Sequence, residues 1–569
     1  MKKKYVRWTL WTIASPFILF IILCILIYLP PIQNFLVDKA AVYASEATGM
    51  NISVGRISLS FPLNLVVTNV DAASPHNDTL LSVRRLQVNV QLLPLLKKQV
   101  EVDGISLQGA TVNSNDLIHG MKLNGTLGEL FISSHGVALD PETAIVNKVL
   151  LKDTDLSLCL NDTAAADTAA SDTTYWKIIL QDIDLQNVSF ALDMPLDSLS
   201  LAASLDNAIL RDGLIDLHKS AYSLQTFRIE NGRVRYDNGK PLAADSLSSG
   251  LDPSHIALTD IGVKLDSLYY GGRNMKAIIS QFVLKERSGV EIVSATGRMV
   301  SNDKVLRVPS LKLETRDSYL ELNAAMDWNA LDFKDEGLVS ARLMADIGKP
   351  DVVRFMGSMD EKFIRQYPSE PLRIRTGIDG DLNKLKLTTL TAELPGALGL
   401  FARGELTHLT DSLLRGGDIT LEAETKDLKF VSTLAEGIEI PYGTRLEGKF
   451  TMAGTKMGTD LLLMQPEAQA VVAADTIPIT VYNDSISVAD DFKMERAARL
   501  FAKYDLSRDR YEADLAVNHF DLHQFMPADS LYTLSTRLKV EGEGFDFFSP
   551  RTYFNAEGGI DRFHYGSYH

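Results

Sequence analysis

Phe227-Arg-Ile-Glu-Asn-Gly-Arg-Val-Arg-Tyr236 is the stretch that decides the fold. Apolar side chains fall at 227 and 229, then at 234 and 236, so the alternation changes parity across Asn231-Gly232. Alternation with period two is the mark of a half-buried strand. Asn-Gly is the preferred two-residue hairpin turn, and a hairpin here pairs Glu230 with Arg233, Ile229 with Val234 and Phe227 with Tyr236. Such a turn requires the parity change if both arms are to keep one apolar face. A glycine-type bulge in a bent strand produces the same change. Both readings put Phe227, Ile229, Val234 and Tyr236 on one face and Glu230 and Arg233 on the other.

The same pattern, apolar-x-apolar-x-[Asn/Asp/Gly]-x-x-apolar, recurs at Ile105–Val112, Val149–Leu156, Ile183–Phe190 and Ile256–Val263. Its fifth position is Gly109, Asp153, Asn187, Asn231 or Asp260, residue types that tolerate turn geometry. Five copies predict a repeated architecture. With Phe227, Ile229, Val234 and Tyr236, the inward positions Leu107, Val112, Leu151, Leu156, Leu185 and Phe190 define a candidate apolar lining. Few helices are expected: one over 351–366 with Asp351 as N-cap and Pro368 beyond its end, and a weaker one over 427–436 before Gly437. At roughly 18 residues per strand and turn, the chain beyond residue 29 holds about 30 strands. So few helices cannot cover that much sheet. The apolar faces must close on each other or enclose something else apolar, such as acyl chains in an open trough. Thirty strands in one row would extend on the order of 140 Å, a length suited to bridging two membranes.

The N-terminus carries the second signal. Residues 1–7 hold Lys2, Lys3, Lys4 and Arg7, and an uncharged run follows from Trp8 to Leu29. As a helix it spans roughly 33 Å, enough for a bilayer core. A cleaved signal peptide has a shorter apolar stretch, of about 7–15 residues. The run therefore reads as a signal anchor with the basic tail in the cytoplasm and all later residues on the far side. Trp8, Trp11 and Tyr28 fall at the two interfaces, Pro16 is a tolerated kink, and Leu29 leads into Pro30-Pro31. Residues 30–50 continue as a short helix, with sheet over 51–350 and again over 367–569.

Composition narrows the functional classes. The chain has 569 residues, 46% hydrophobic and 23% charged, as folded proteins do. Its 57 basic and 73 acidic residues leave −16, which opposes general nucleic-acid binding. Two cysteines, Cys24 and Cys159, exclude a disulfide framework and a multi-cysteine metal site. Asp379-Gly-Asp-Leu-Asn383 starts like a calcium loop but has Lys384 at the glycine position and Leu390 at the twelfth. His519 and His523 lack the glutamate of a zinc-protease helix. Gly542-Glu-Gly544 lacks the third glycine of a nucleotide fingerprint. These features predict no enzyme, no cofactor and no metal. Asn161–Thr174 is of low complexity and reads as an exposed loop, and its Asp-Thr-Ala triplets match a bacterial O-glycosylation acceptor.

Together, the anchor, the Φ-x-Φ-x-[ND]-G-x-Φ-x-Φ repeat and the long strand-rich stretches resemble the AsmA/TamB group of bacterial envelope proteins. Gly49-Met-Asn-Ile-Ser-Val-Gly-Arg-Ile57, with Pro62 and Val70, is similar to that group's segment after the anchor. So are Gly377–Leu385 and Ala402–Leu409. The resemblance implies a mostly β protein, an elongated, curled antiparallel β-sheet groove in the periplasm, held by one helix in the bacterial inner membrane. It implies phospholipid as cargo between inner and outer membranes. The TamB branch adds a second role: a scaffold for secretion and insertion of outer-membrane or autotransporter proteins with a barrel partner of the TamA/BamA type. The end at Tyr568-His569, just after Phe563-His-Tyr565, leads to the expectation of an N-terminal portion of such a protein, or a shorter AsmA-like relative.

Overall fold

The computed structural model describes residues 49–568 apart from 61–63, 75–78, 92–101, 115–119, 140–141, 162–174, 240–249, 334–335, 357–359, 435–436, 466–479, 483–484, 488–495, 547–548 and 550–551, together with residues 39, 41, 42 and 45. The anchor expected over 8–29, with Trp8, Trp11, Pro16, Tyr28 and Leu29, lies outside the described residues, as does most of 30–50 and the low-complexity stretch after Asn161. Among the described residues no helix is long and apolar enough to cross a membrane. Among the described residues the chain is mostly β, with twenty-eight strands, of which twenty-six belong to one hydrogen-bonded sheet. It divides into two compact units, the first comprising Met1–Leu247, Asp252–Gly272 and Ile279–Arg287, the second the remainder.

The first unit contains β1 (Asn51–Ser60), β2 (Asn64–Ala73), β3 (Thr79–Val90), β4 (Val102–Asn113), β5 (Met121–Leu139) and β6 (Glu142–Leu160). It continues with β7 (Lys177–Met194), β8 (Leu199–Asp216), β9 (Ala221–Leu224), β10 (Thr226–Asn238) and β11 (His255–Gly271). Each strand from β1 to β8 pairs with its successor, and β9 and β10 form two halves of one strand interrupted at Gln225, both lying between β8 and β11. The pairs are antiparallel except β6–β7, which is parallel, Thr143 to Cys159 beside Lys177 to Asp193. Lys177 therefore starts β7 at the end of the sheet where β6 began, an arrangement no hairpin produces. The strand β12 (Asn274–Glu286) is shared between the units.

The decisive stretch is not a hairpin. Thr226–Asn238 runs as one strand, with Ile229 opposite Ala208 and Val234 opposite Ala203 of β8, so the pairing of Glu230 with Arg233 across Asn231-Gly232 does not form. Asn231 instead adopts φ 54° inside the strand. Towards β11, Glu230 and Asn231 together face Gly262, while Thr259 and Asp260 together face Arg233, which is the two-against-one count of a bulge. The parity change survives. Residues 227, 229, 234 and 236 are half-buried, whereas 228, 230, 233 and 235 are exposed. A Cβ added at Gly232 would lie 3.2 Å from Ile229 Cγ2, on the Ile229 side of the sheet.

The second unit is an antiparallel meander of β13 (Glu291–Ser301), β14 (Val305–Thr315), β15 (Tyr319–Asp327), β16 (Leu338–Ile347), β17 (Leu372–Asp381), β18 (Lys384–Leu394) and β19 (Leu398–Thr407). It goes on through β20 (Gly416–Thr425), β21 (Arg445–Ala453), β22 (Lys456–Gln465), β25 (Arg496–Asp505), β26 (Arg510–Asp521), β27 (Leu531–Glu543) and β28 (Tyr553–Tyr565). β23 (Thr480–Tyr482) and β24 (Ser485–Ser487) form a separate pair. The helix expected over 351–366 is two short ones, α2 (Lys349–Phe355) and α3 (Glu361–Gln366), preceded in the chain by α1 (Trp328–Leu331). Asp351 is not the N-cap; Gly348 is. Asp351 lies in the first turn, fully buried, accepting hydrogen bonds from the Thr315 and Ser318 hydroxyls and pairing with Arg354 at 2.9 Å. The candidate over 427–436 is a 3-10 turn at Lys429–Thr433. It brings Phe430 against Phe363 and Tyr367, with ring centroids 5.1 to 5.7 Å apart, over Leu394, Ala397 and Leu428. A smaller cluster of Ala330, Val339 and Leu382 closes the opposite end of β18.

Candidate functional site: an apolar sheet face

The two-residue period of β structure places directly opposed residues of neighbouring strands on the same face. Register therefore converts the predicted lining residues into rows. Ile57, Val67, Leu86, Leu107, Leu130, Leu151, Leu185, Ala208, Ile229 and Val263 oppose one another in turn across ten strands. A second row runs Ile52, Ala72, Leu81, Val112, Gly125, Leu156, Phe190, Ala203, Val234 and Leu258. Phe227 belongs to a third, with Val88, Ile105, Ile132, Val149, Ile183, Leu210 and Leu265. Tyr236 joins Leu123, Leu158, Leu192, Leu201 and Ile256 in a fourth. A fifth, of Val70, Val83, Ala110, Leu127, Thr154, Val188, Leu205, Gly232 and Ile261, lies between the first two. The ten residues anticipated from the repeat thus fall on four of the five rows.

All five rows share a face because the strands bend together. The fifth positions of the repeat all have positive φ: Gly109 61°, Asp153 48°, Asn187 53°, Asn231 54° and Asp260 52°. Asn69, at 49°, joins them. In register, Gly55, Asn69, Arg84, Gly109, Gly128, Asp153, Asn187, Asp206 and Asn231 stand side by side, so one crease crosses nine neighbouring strands, β1 to β8 and β10, and turns the parity of each at one height. The crease is polar and exposed at Asn69, Arg84, Asp153, Asn187, Asp206 and Asn231. Asn187 Nδ2 donates to Asp153 at 2.9 Å, and Asn231 Nδ2 donates to Asp206. The face it belongs to also carries Arg235–Asp237 at 2.7 Å and Lys285–Asp260 at 2.7 Å. Such exposed pairs contribute about 0–1 kcal/mol each, so they keep this face wet more than they hold the sheet.

The opposite, apolar face is not packed into a core. Among the described residues of the first unit, only Ala72, Leu80, Val83, Ala208 and Ile261 are buried hydrophobics, and both buried hydrophobic clusters belong to the second unit. Phe190 is 38% exposed. From the Phe227 row to the Tyr236 row the face is about 30 Å wide, and ten strands span about 43 Å. Its footprint is on the order of 1,300 Å², and of the residues in the five rows only Leu81 and Phe190 are exposed, the others being half-buried or buried.

No protein-family model matches the chain, and no curated protein matches it.

The remaining chemical candidates are separated by the fold. His519 sits in β26 at φ 46°, its Nδ1 2.8 Å from Asn518 Oδ1, while His523 Nδ1 is 2.9 Å from the Asp529 carbonyl. Among the described residues no group of three metal-binding side chains is assembled. Asp381 accepts from the Asn383 and Lys384 N–H groups and shapes the β17–β18 turn. Gly542 lies in β27, and the Cys159 thiol lies 3.3 Å from Asn161 Oδ1.

Proposed function

We propose that the protein is a membrane-anchored periplasmic conduit that shields the acyl chains of phospholipid moving between the inner and outer membranes. The observation that carries this reading is the set of five apolar rows with no core packed over them. A width of about 30 Å is twice the depth of one leaflet's hydrocarbon, about half of a ~30 Å bilayer core, so acyl chains fit lengthwise along the strands. In this reading the sheet curls about its crease into an elongated trough, and residues 8–29 hold it in the inner membrane with the bulk of the chain in the periplasm. No catalytic group and no cofactor is needed. Val112→Asp and Phe190→Asp in the full chain test it. A hydrated groove tolerates a carboxylate that a closed core would reject at a cost of several kcal/mol. Both variants should keep strand content and lose less than about 1 kcal/mol of stability, while the phospholipid that co-purifies with them drops severalfold. Arg233→Asp, on the polar face, should retain lipid. Unchanged lipid in the inward variants overturns the reading.

A further inference from the structure

One end of the first unit's sheet carries a feature that shielding of acyl chains does not use. Tyr175, Tyr222, Tyr269 and Tyr270 are 53%, 41%, 41% and 47% exposed, and Leu217 beside them is 38% exposed. Register brings them together. Ile215 opposes Tyr222, Tyr222 opposes Tyr270, and the Leu217 N–H donates to the Trp176 carbonyl at 3.1 Å. The Tyr222 and Tyr270 rings stack at 6.2 Å, and Tyr175 lies 5.3 Å from His218. A tyrosine buried for packing usually finds a partner for its hydroxyl, yet none of these four hydroxyls has a hydrogen bond among the described residues. Lys177 and Lys219 flank the rings, both exposed and neither in an ion pair, while Asp216 opposes Lys177 and accepts from the Lys219 N–H at 3.1 Å, and Glu142 accepts from the Tyr175 N–H at 2.7 Å.

We infer that this tyrosine-rich rim docks on the headgroup layer of an anionic bilayer surface. Half-exposed rings with free hydroxyls beside unpaired lysines suit a boundary that is apolar on one side and negatively charged on the other. The two faces of the sheet decide between a bilayer and the headgroup of one lipid lying in the groove. Tyr222 and Tyr270 continue the apolar face, since a Cβ at Gly213, two residues before Ile215, would meet Leu210 and Leu180 of that face. Tyr269 opposes Ser223 and therefore projects from the other face. A lipid in the groove reaches one face only, whereas a planar interface meets the sheet end-on and touches both.

The inference does not depend on the conduit reading, and the test separates them. The full chain, with Cys24→Ser, Cys159→Ser and His218→Cys, is labelled at position 218 with an environment-sensitive dye. It is then reconstituted in vesicles of phosphatidylcholine alone or with three parts in ten phosphatidylglycerol. The expected result is a blue shift of dye emission in the phosphatidylglycerol vesicles, lost in Lys177→Glu/Lys219→Glu and retained in a chain that also carries Val112→Asp. A dye on Asp197→Cys, at the opposite end of β7, should not shift. No shift at 218 in either vesicle overturns the inference and points to a protein partner. An equal shift at 197, or one that ignores lipid charge, overturns it as well. Loss of the shift with Val112→Asp assigns the rim to groove-bound lipid and overturns docking on a bilayer.

Discussion

At the scale of single residues, the crease rests on positions that accept left-handed backbone. Asn231 holds φ 54° between two extended arms, a conformation that costs a β-branched residue about 1–2 kcal/mol and glycine almost nothing. Asn231→Val should therefore lower the unfolding free energy obtained from a urea titration by that amount, while Asn231→Gly stays close to the parent. Equal losses in both would mean that the side-chain bond to Asp206, rather than the backbone, sets the bend. The repeat was legible because four of its five fifth positions are Asn or Asp and the fifth is Gly. Leu65–Ala72, Ala208–Ile215 and Leu515–Leu522 fit the same spacing, with positive φ at Asn69, Asp212 and His519. They were hidden by alanines at apolar positions and by a histidine at the bend. The histidine matters twice, since His519 invites a metal reading from its spacing to His523, while its backbone serves as a bulge.

At the scale of elements, local chemistry explains both what could be read and what could not. Asn-Gly specifies a bend but does not distinguish a turn from a bulge. The choice is made by β8 and β11, which offer continuous partners on either side of β10. The parallel register of β6 and β7 leaves no trace in their alternation, since a face is apolar whichever way its strand runs. The helix over 351–366 was readable in place but not in form, because Asp351 satisfies Thr315 and Ser318 instead of capping. Element ends also carry a pH dependence. Glu424, near the end of β20, is pushed above the usual carboxylate range by burial, with Arg445 3.7 Å away offsetting part of it. An acid with a raised folded-state pKa binds its proton more tightly when folded, so its contribution to stability is present at low pH and is lost as pH rises through that pKa. Glu424→Gln should leave stability at pH 4 nearly unchanged and raise the urea midpoint at pH 8. A midpoint that falls at pH 8 would show that the ion pair with Arg445 outweighs desolvation.

At the scale of the whole molecule, the two units differ in how they hold together. The second contains buried clusters around Phe363 and Phe430, where each buried aromatic contributes about 1.5–3 kcal/mol. In the first, strands pack chiefly on the neighbours they hydrogen-bond, so its stability is close to a sum of nearest-neighbour terms. Gly128→Val tests this, since a Cβ there would fall 2.8 Å from Asp153 Cβ and 2.9 Å from its carbonyl oxygen. Hydrogen exchange should quicken in β5 and in its neighbours β4 and β6, and stay unchanged in β1 and around Phe363. Quickening throughout would mean one cooperative block. The parallel pair then acquires an architectural meaning. In a stack of antiparallel strands direction alternates without exception, and β6–β7 is the seam where the count slips by one. Inserting there a single strand as long as β7, 18 residues, would restore alternation without disturbing the pairing of any strand outside the seam. Elsewhere the stack can lengthen only by whole hairpins, so among the described strands of this unit the seam is the joint where a lone strand can be added with the apolar face kept intact.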